Sequence, residues 1–279
     1  MNIQFSKMHG IGNDFVVIDA ISQTINLSTE QVQFLADRHF GVGCDQLLLV
    51  EKTELDGVDF RYRIFNSDGG EVEQCGNGAR CFARFVRDKG LTDKTKIRVE
   101  TQNGIIELCI DDKENVTVDM GAADFTPAAL PMNVENLNIL GDEKYSLQVN
   151  NKSVEFGAVS MGNPHAVLLV DDVDKSALET LGPVLESHTI FPQRVNVGFM
   201  QVMDRQHLRL RVYERGVGET QACGTGACAA VAVAQRWGLV DNNVQVQLPG
   251  GVLTIRLTQD GSVVLIGDAV LVFDGQITL

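Results

Sequence analysis

Two stretches of this sequence carry the same pattern at a fixed distance. Cys75-Gly76-Asn77-Gly78-Ala79 opens an apolar segment that closes at Gly90-Leu91, and Cys223-Gly224-Thr225-Gly226-Ala227 opens another that closes at Gly238-Leu239. The cysteines stand 148 positions apart, and each lies 15 residues before its closing glycine. Upstream, Arg61, Arg63, Phe65, Gly70 and Glu71 recur at the same offset as Arg209, Arg211, Tyr213, Gly218 and Glu219. Gly12-Asn13 pairs with Gly162-Asn163 and Gln46 with Asn196, both at 150, while Gly104 pairs with Gly251 at 147. A chain built this way folds as two copies of one unit, each presenting a thiol at the same place. Two equivalent thiols related by a pseudo-twofold axis could approach one atom from opposite sides, the geometry that inversion of a stereocentre requires.

The 279 residues are enough for two domains. We expect an N-terminal domain of residues 1–123 completed by 268–279, and a C-terminal domain of 124–267. Pro127 and Pro131, among small residues where the first copy ends, mark a linker. With 23 basic and 37 acidic residues, a net charge of −14, the chain lacks the basic footprint that nucleic-acid or anionic-membrane binding needs. A small anionic ligand remains compatible, because one or two arginines and helix ends hold a carboxylate locally. The first residues lack a basic and then apolar signal pattern, and the purest apolar run, Ala227 to Ala234, is too short to span a bilayer. A cytoplasmic protein is expected, with its six cysteines as thiols.

Short β-rich runs dominate. Phe15–Ile18, Leu47–Val50, Phe60–Ile64, Ile97–Val99 and Ile105–Leu108 read as strands in the first copy. Val167–Val170, Leu208–Val212, Val244–Leu248 and Val263–Ile266 do so in the second. The run Ala269–Phe273 lies beyond the second copy and is expected to return to the first domain. Helices are few: one near 29–38, from the capping-box pair Ser28 and Gln31, and one after each of Cys75 and Cys223. The helix after Cys75 reads as amphipathic, with Phe82, Phe85 and Val86 opposite Arg80, Arg84, Arg87 and Lys89. Its counterpart has no polar face and should be buried all round. The expected class is α/β in the α+β sense. Two pseudo-symmetric duplicated domains each wrap a curved, mostly antiparallel sheet around a central helix, with the active site in the cleft between them.

Cys44, Cys81, Cys109 and Cys228 have no counterpart at the shared offset and read as small buried hydrophobes. Cys75 and Cys223 stand at helix starts, where partial positive charge and free N–H groups stabilise a thiolate and hold a carboxylate. Glycines 76, 78, 224 and 226 would let amides approach a ligand. From a reference pKa of about 8.5 only modest lowering supplies both thiolate and thiol near neutrality, so these two should react before the other cysteines. Zinc is disfavoured by spacing: Cys75 and Cys81 are too far apart for a close pair, Cys223 and Cys228 barely reach one, and no His-x₃₋₅-His follows. No phosphate-loop Lys-Ser/Thr is present either. Asn13, Gln46, Asn66, Asn163 and Asn196 occupy matched or near-matched places as neutral groups for orienting a ligand, although turn chemistry is the usual explanation of an asparagine after glycine. Glu214-Arg215 stands against Asn66-Ser67 and breaks the symmetry; the arginine suits bidentate carboxylate binding. His165 could tune a nearby thiol.

These motifs together resemble the diaminopimelate epimerase family over essentially the whole chain. The resemblance rests on Lys7-Met8-His9-Gly10-Ile11-Gly12-Asn13-Asp14-Phe15, Phe65-Asn66-Ser67-Asp68-Gly69 and Glu73-Gln74-Cys75-Gly76-Asn77-Gly78-Ala79-Arg80. It also rests on Met161-Gly162-Asn163-Pro164-His165, Tyr213-Glu214-Arg215-Gly216 and Ala222-Cys223-Gly224-Thr225-Gly226. It implies interconversion of LL- and meso-diaminopimelate without pyridoxal phosphate, for lysine and peptidoglycan synthesis, and the spacing above calls for no metal. Cys75 and Cys223 would be the catalytic acid/base thiols, supported by His165 and Glu214. Amides at Gly76, Asn77, Gly224 and Thr225 would hold the reacting carboxylate. Asn13, Gln46, Asn66, Asn163, Asn196, Glu214 and Arg215 would bind the rest of the substrate, with Arg215 on the distal carboxylate. A homodimer is implied, although a tyrosine of the family's C-terminal dimer-contact segment is Phe273 here. The competing readings are a proline-type racemase using the same paired thiols and a non-catalytic binding protein. Arg215 argues against the first and retention of both cysteines against the second.

Overall fold

The computed structural model describes residues 1–72, 76–135, 137–141 and 143–279. In chain order the first half contains β1 (Asn2–Gly10), β2 (Asn13–Asp19), α1 (Thr29–Ala36), β3 (Gln46–Glu51), β4 (Phe60–Asn66) and β5 (Glu71–Val72). It continues with α2 (Gly76–Asp88), β6 (Lys96–Thr101), β7 (Gly104–Ile110) and β8 (Val116–Ala122). Then follow β9 (Asn138–Gly141), β10 (Lys144–Val149), β11 (Lys152–Ser160), β12 (Pro164–Leu169), α3 (Leu178–Glu186), β13 (Asn196–Asp204) and β14 (His207–Glu214). The chain ends with β15 (Gly218–Glu219), α4 (Gly224–Arg236), β16 (Asn243–Leu248), β17 (Gly251–Leu257), β18 (Ser262–Gly267) and β19 (Val270–Thr278). Two compact units result, Met1–Asp119 with Ile266–Leu279, and Met120–Leu265.

Strand pairing writes the repeat into the backbone. In the first unit β2 pairs parallel with β3, with Phe15 opposite Gln46; in the second β12 pairs parallel with β13, with His165 opposite Asn196. The parallel pair β4–β6 is matched by β14–β16, and the remaining described pairs within each unit are antiparallel. One ion pair recurs just ahead of each cysteine helix. Arg63 grips Glu71 through two bonds of 2.8 and 2.7 Å, and Arg211 grips Glu219 through two of 2.6 and 2.8 Å. Partly exposed pairs contribute little stability, but both staple the short strand before the helix to its neighbour.

The central helices are held on several sides. α2 packs against β1, β2, β3, β7 and β19, and α4 against β11, β12, β13, β14 and β17. Ala227–Ala234 is buried throughout, as its lack of a polar face requires. Both helices stop alike. Gly90 and Gly238 adopt φ of +67° and +71°, and the following Leu91 and Leu239 N–H groups each donate 2.9 Å bonds to Val86 and Ala234. These bonds satisfy carbonyls that the last turn would otherwise orphan, and glycine takes the left-handed position at least cost. α1 starts on the expected reciprocal cap, the Ser28 hydroxyl accepting from Gln31 N–H and Ser28 N–H donating to the Gln31 side chain.

Three expectations are corrected. Arg80 is fully buried rather than on a polar face of α2. Its Nε donates to the Asp268 carbonyl at 2.9 Å and Nη1 to the Gly76 carbonyl at 3.5 Å, so backbone oxygens offset the loss of water. The stretch with Pro127 and Pro131 is no linker: Pro127–Ala129 forms a 3₁₀ turn, and Leu130 and Met132 are buried in the second unit's core with Phe156, Phe191 and Phe199. A fourth helix, α3, escaped the reading of local spacing, yet the offset of 150 carries α1 directly onto it. The first unit's own core lies where α1 places Val32 and Leu35 against Val16, Ile18, Leu47 and Leu49. The final run is longer than Ala269–Phe273, and β19 pairs antiparallel with β1 from Asn2↔Thr278 to His9↔Val270. No described helix is long and apolar enough to cross a membrane.

The approach of α4 to β11 depends on Gly157. A Cβ there would lie 2.6 Å from Val233 Cγ1 and 2.9 Å from Trp237 Cζ2. Gly157→Ala is therefore expected to destabilise the protein by about 1–3 kcal/mol through overpacking. Urea unfolding checks this, and an unchanged midpoint would show that the contact relaxes freely.

Candidate active site

Chain direction gathers the expected residues at one end of each sheet. In the first unit, parallel β2 and β3 begin with Asn13 and Gln46, and antiparallel β4 ends with Asn66. The chain then turns back through β5, and α2 begins at Gly76 and Asn77. Gln46 Nε2 donates to Asn66 Oδ1 at 2.8 Å, and buried Asn77 donates through Nδ2 to Asn13 Oδ1 at 3.0 Å. Cys75, with Glu73 and Gln74, lies outside the described residues.

Residues that sequence spacing missed hold Asn13. Its Nδ2 donates to Asp45 Oδ2 at 2.9 Å, and the same oxygen accepts from Asp14 N–H at 3.1 Å. Arg38 donates to both Asp14 oxygens, at 2.9 and 2.7 Å, and to Asp45 at 2.7 Å; Lys7 reaches Asp14 and the Gly43 carbonyl. Burial raises the Asp14 carboxyl, but its bonds from Arg38 and Lys7 outweigh that and hold it well below the usual carboxylate range. Asp14 and Asp45 face Pro164 and Val195 at the offset of 150, so the repeat gave no signal for this network.

The second unit repeats the arrangement with other chemistry. β12 and β13 begin beside Asn163 and at Asn196, β14 ends at Glu214, and α4 starts at Gly224 with Cys223 as its N-cap. Asn196 is buried and bridges two segments, donating to the Pro164 carbonyl and accepting from Arg215 N–H, both at 3.0 Å. The Arg215 side chain is exposed and reaches the Gln193 carbonyl through Nη1 at 3.2 Å. A chain of contacts links His165 to the thiol. His165 Nε2 meets Asn163 Oδ1 at 3.0 Å, Asn163 Nδ2 donates to Thr225 Oγ1 at 3.3 Å, and Thr225 Oγ1 lies 3.8 Å from Cys223 Sγ.

Burial pushes the His165 imidazole down to about 3, reinforced by the charge of Arg215, so the ring is neutral at ordinary pH. Cys223 departs from expectation. Its sulfur receives the Gly226 N–H and the Thr225 hydroxyl, both of which favour thiolate. Burial, aided by the neighbouring Glu214 carboxylate, outweighs them and pushes the thiol well above its ordinary value. The surroundings of Cys223 thus favour its thiol form, against the thiolate character expected at a helix start. Burial also raises Cys44 to about 11 and, with Glu107, raises Cys109. Glu214 itself accepts from the Thr220 hydroxyl, another partner that spacing did not reveal.

The motif glycines are used for packing. A Cβ at Gly78 would lie 2.9 Å from Tyr62 Oη, and one at Gly226 would lie 3.0 Å from both Cys223 Sγ and Val212 Cγ2. Among the described residues no three of His, Cys, Asp and Glu gather in a way that could hold a metal ion.

This fold is shared with solved structures of low sequence identity. A phenazine biosynthesis protein of the PhzF family from Bacillus anthracis matches with a TM-score of 0.70 at 18% identity, with 100% of both chains covered. A hydroxyproline epimerase from Agrobacterium vitis matches with a TM-score of 0.69 at 16% identity, covering 100% of this chain and 93% of the other. These likenesses define the structural class, a sheet-dominated α+β fold with few helices. The family model described as diaminopimelate epimerase matches residues 5–126 and 157–272. The diaminopimelate epimerase of Stutzerimonas stutzeri (strain A1501) is 57% identical over 280 residues, 100% of each chain. The chain belongs to the diaminopimelate epimerase family.

The Cys223 environment yields a test. Glu214→Gln removes a negative charge that disfavours thiolate, so the Cys223 thiol should titrate at lower pH than in the parent. A thiolate-absorbance titration, taken as the difference from Cys223→Ser, reads the shift. No movement, or an upward one, would mean that burial alone sets the thiol.

Proposed function

We propose that this protein interconverts LL- and meso-diaminopimelate by moving one α-proton between two cysteines, Cys75 and Cys223. The observation that carries the reading is the duplicated Cys-Gly-x-Gly-Ala sequence at the starts of α2 and α4, in a chain of this family. One cysteine, as thiolate, takes the α-proton from one face and becomes a thiol. The other, as thiol, gives its proton to the opposite face and becomes a thiolate, so charge and protons balance and the centre inverts. The favoured thiol form of Cys223 suits it to donate first, leaving Cys75 as the initial base. In the reverse direction the roles exchange.

Amides of Gly76, Asn77, Gly224 and Thr225 bind the reacting carboxylate in this proposal, where helix N-termini favour an anion. Asn13, Gln46, Asn66, Asn163 and Asn196 orient the remaining polar groups. Glu214 serves the distal ammonium as well as the Cys223 thiol, and His165 acts as a neutral support through Asn163 and Thr225. Arg215, exposed and forked, takes the distal carboxylate. It supports a dicarboxylate substrate over the small cyclic amino acid of a proline-type racemase. The likeness to the hydroxyproline epimerase concerns the fold alone. No step in this scheme calls on pyridoxal phosphate or metal. A cytoplasmic location is part of the same proposal.

Cys75→Ala and Cys223→Ala are each expected to abolish epimerisation at unchanged circular dichroism, while the parent enzyme incorporates solvent deuterium at the α-carbon. Near-normal turnover by either variant would refute the two-thiol scheme. A homodimer belongs to the proposal too, supported by the exposed apolar side chains Val270, Leu271, Val272 and Phe273 of β19. Sedimentation should give twice the chain mass, and Phe273→Glu should shift the species toward monomer; a monomeric parent would end this part of the reading.

A further inference from the structure

The two copies provide an internal control. Each contains a tight turn after one of two matched strands, Asn66 to Gly69 after β4 in the first unit and Glu214 to Val217 after β14 in the second. Each is closed by a carbonyl-to-amide bond, of 2.9 and 3.1 Å respectively. In both, the helix ahead of the preceding strand, α1 before β3 and α3 before β13, reaches the turn. The first unit uses a neutral contact, Gln33 Nε2 donating to the Asp68 carbonyl at 2.7 Å. The second uses a carboxylate: Glu186, the last residue of α3, accepts the Gly216 N–H at 2.9 Å.

Glu186 is buried, and a charge is placed there at a cost. The same Glu186 Oε1 also accepts from Arg194 Nη1 at 3.1 Å. Arg194 has a φ of +62°, a left-handed conformation in which glycine would be the least strained residue. A side chain is therefore kept where the backbone would favour having none. At the repeat offsets Glu186, Arg194, Arg215 and Gly216 correspond to Ala36, Cys44, Ser67 and Asp68. The first copy closes its turn without either group, but with its left-handed glycine, Gly69 at φ +83°, one place later than Gly216 at +74°, so the buried carboxylate meets an amide peculiar to the second turn. Both groups occur where the turn carries Arg215.

We propose that Glu186 is the positioning residue for Arg215, and that it thereby sets the enzyme's preference for a substrate with a distal carboxylate; this rests on the functional reading above. One carboxylate oxygen ties together the two pieces that cradle the guanidinium. Through Gly216 N–H it fixes the turn from which Arg215 projects. Through Arg194 it fixes the loop whose neighbouring residue, Gln193, offers its carbonyl to Arg215 Nη1. Asn196 completes the clamp by accepting the Arg215 N–H. Glu186 touches no reacting atom; it acts through Arg215 by removing the freedom of the turn, so that less order is lost on binding.

A double-mutant cycle separates this role from general support of the fold. With diaminopimelate as substrate, read by turnover and by α-proton exchange in deuterated buffer, Glu186→Ala should raise KM roughly tenfold while kcat changes by less than about twofold. In an Arg215→Ala background the same substitution should leave KM within about twofold. Equal rises of KM in both backgrounds would overturn the proposal and leave Glu186 a structural residue. Should Glu186→Ala fail to fold, Glu186→Gln keeps an oxygen for the Gly216 N–H and removes only the charge facing Arg194. It should give a smaller rise in KM that likewise vanishes without Arg215, and a rise that persists counts against the proposal. Absence of epimerisation by the parent enzyme would instead overturn the functional reading, and this inference with it.

Discussion

A helix surrounded by packed strands can meet a ligand with its backbone only at its ends, because every other N–H is spent within the helix. In this protein α2 and α4 are both in that position, buried from their opening residues and touched by strands on several sides. Within each unit the strand directions bring polar strand ends to the end where that unit's helix begins, so side chains gather beside its own first-turn amides. The apolar faces that hold each helix thus also decide where chemistry is possible.

That burial also sets the state of the second thiol. A helix start favours thiolate by fractions of a kcal/mol to about 2 kcal/mol, and in α4 the Gly226 amide and Thr225 hydroxyl add to this. Loss of water around Cys223 acts in the opposite sense and wins, with Glu214 on the same side. A two-base epimerase needs one proton donor and one acceptor at the start of each turnover. Burial, with the Glu214 carboxylate adding to it, favours the thiol form of Cys223, which is the form that the proposed scheme asks of one partner.

Duplication provides the frame, and divergence between the copies provides the chemistry. Phe15 and His165 occupy the same parallel register, one as an apolar plug and the other as a neutral hydrogen-bonding ring. The first copy surrounds Asn13 with an ionic network built from Lys7, Asp14, Arg38 and Asp45. The second has no charged residue at Pro164 or Val195 and carries its charge at Glu186, Arg194 and Arg215 instead. Arg80 is buried where the offset places Cys228, so even the central helices differ in their charge.

The repeat, the α+β class, the three helices with clear starts and the residues at the sheet ends were all legible in the sequence. They depend on contacts between near neighbours or on a fixed offset, and spacing records both. Ser28 and Gln31, three residues apart, announced α1, and Gly90-Leu91 announced the end of α2. α3 was hidden because its own signals are poor: Ala177 makes no side-chain cap and Pro183 lies inside it. Its apolar residues Leu178 and Leu185 are instead secured by packing in the second core. The burial of Arg80, the preference of Cys223 for its thiol form and the joining of Glu186 to Gly216 were decided only by the tertiary structure. Each depends on how much water is excluded by chain segments far away in sequence, a quantity that no local spacing carries.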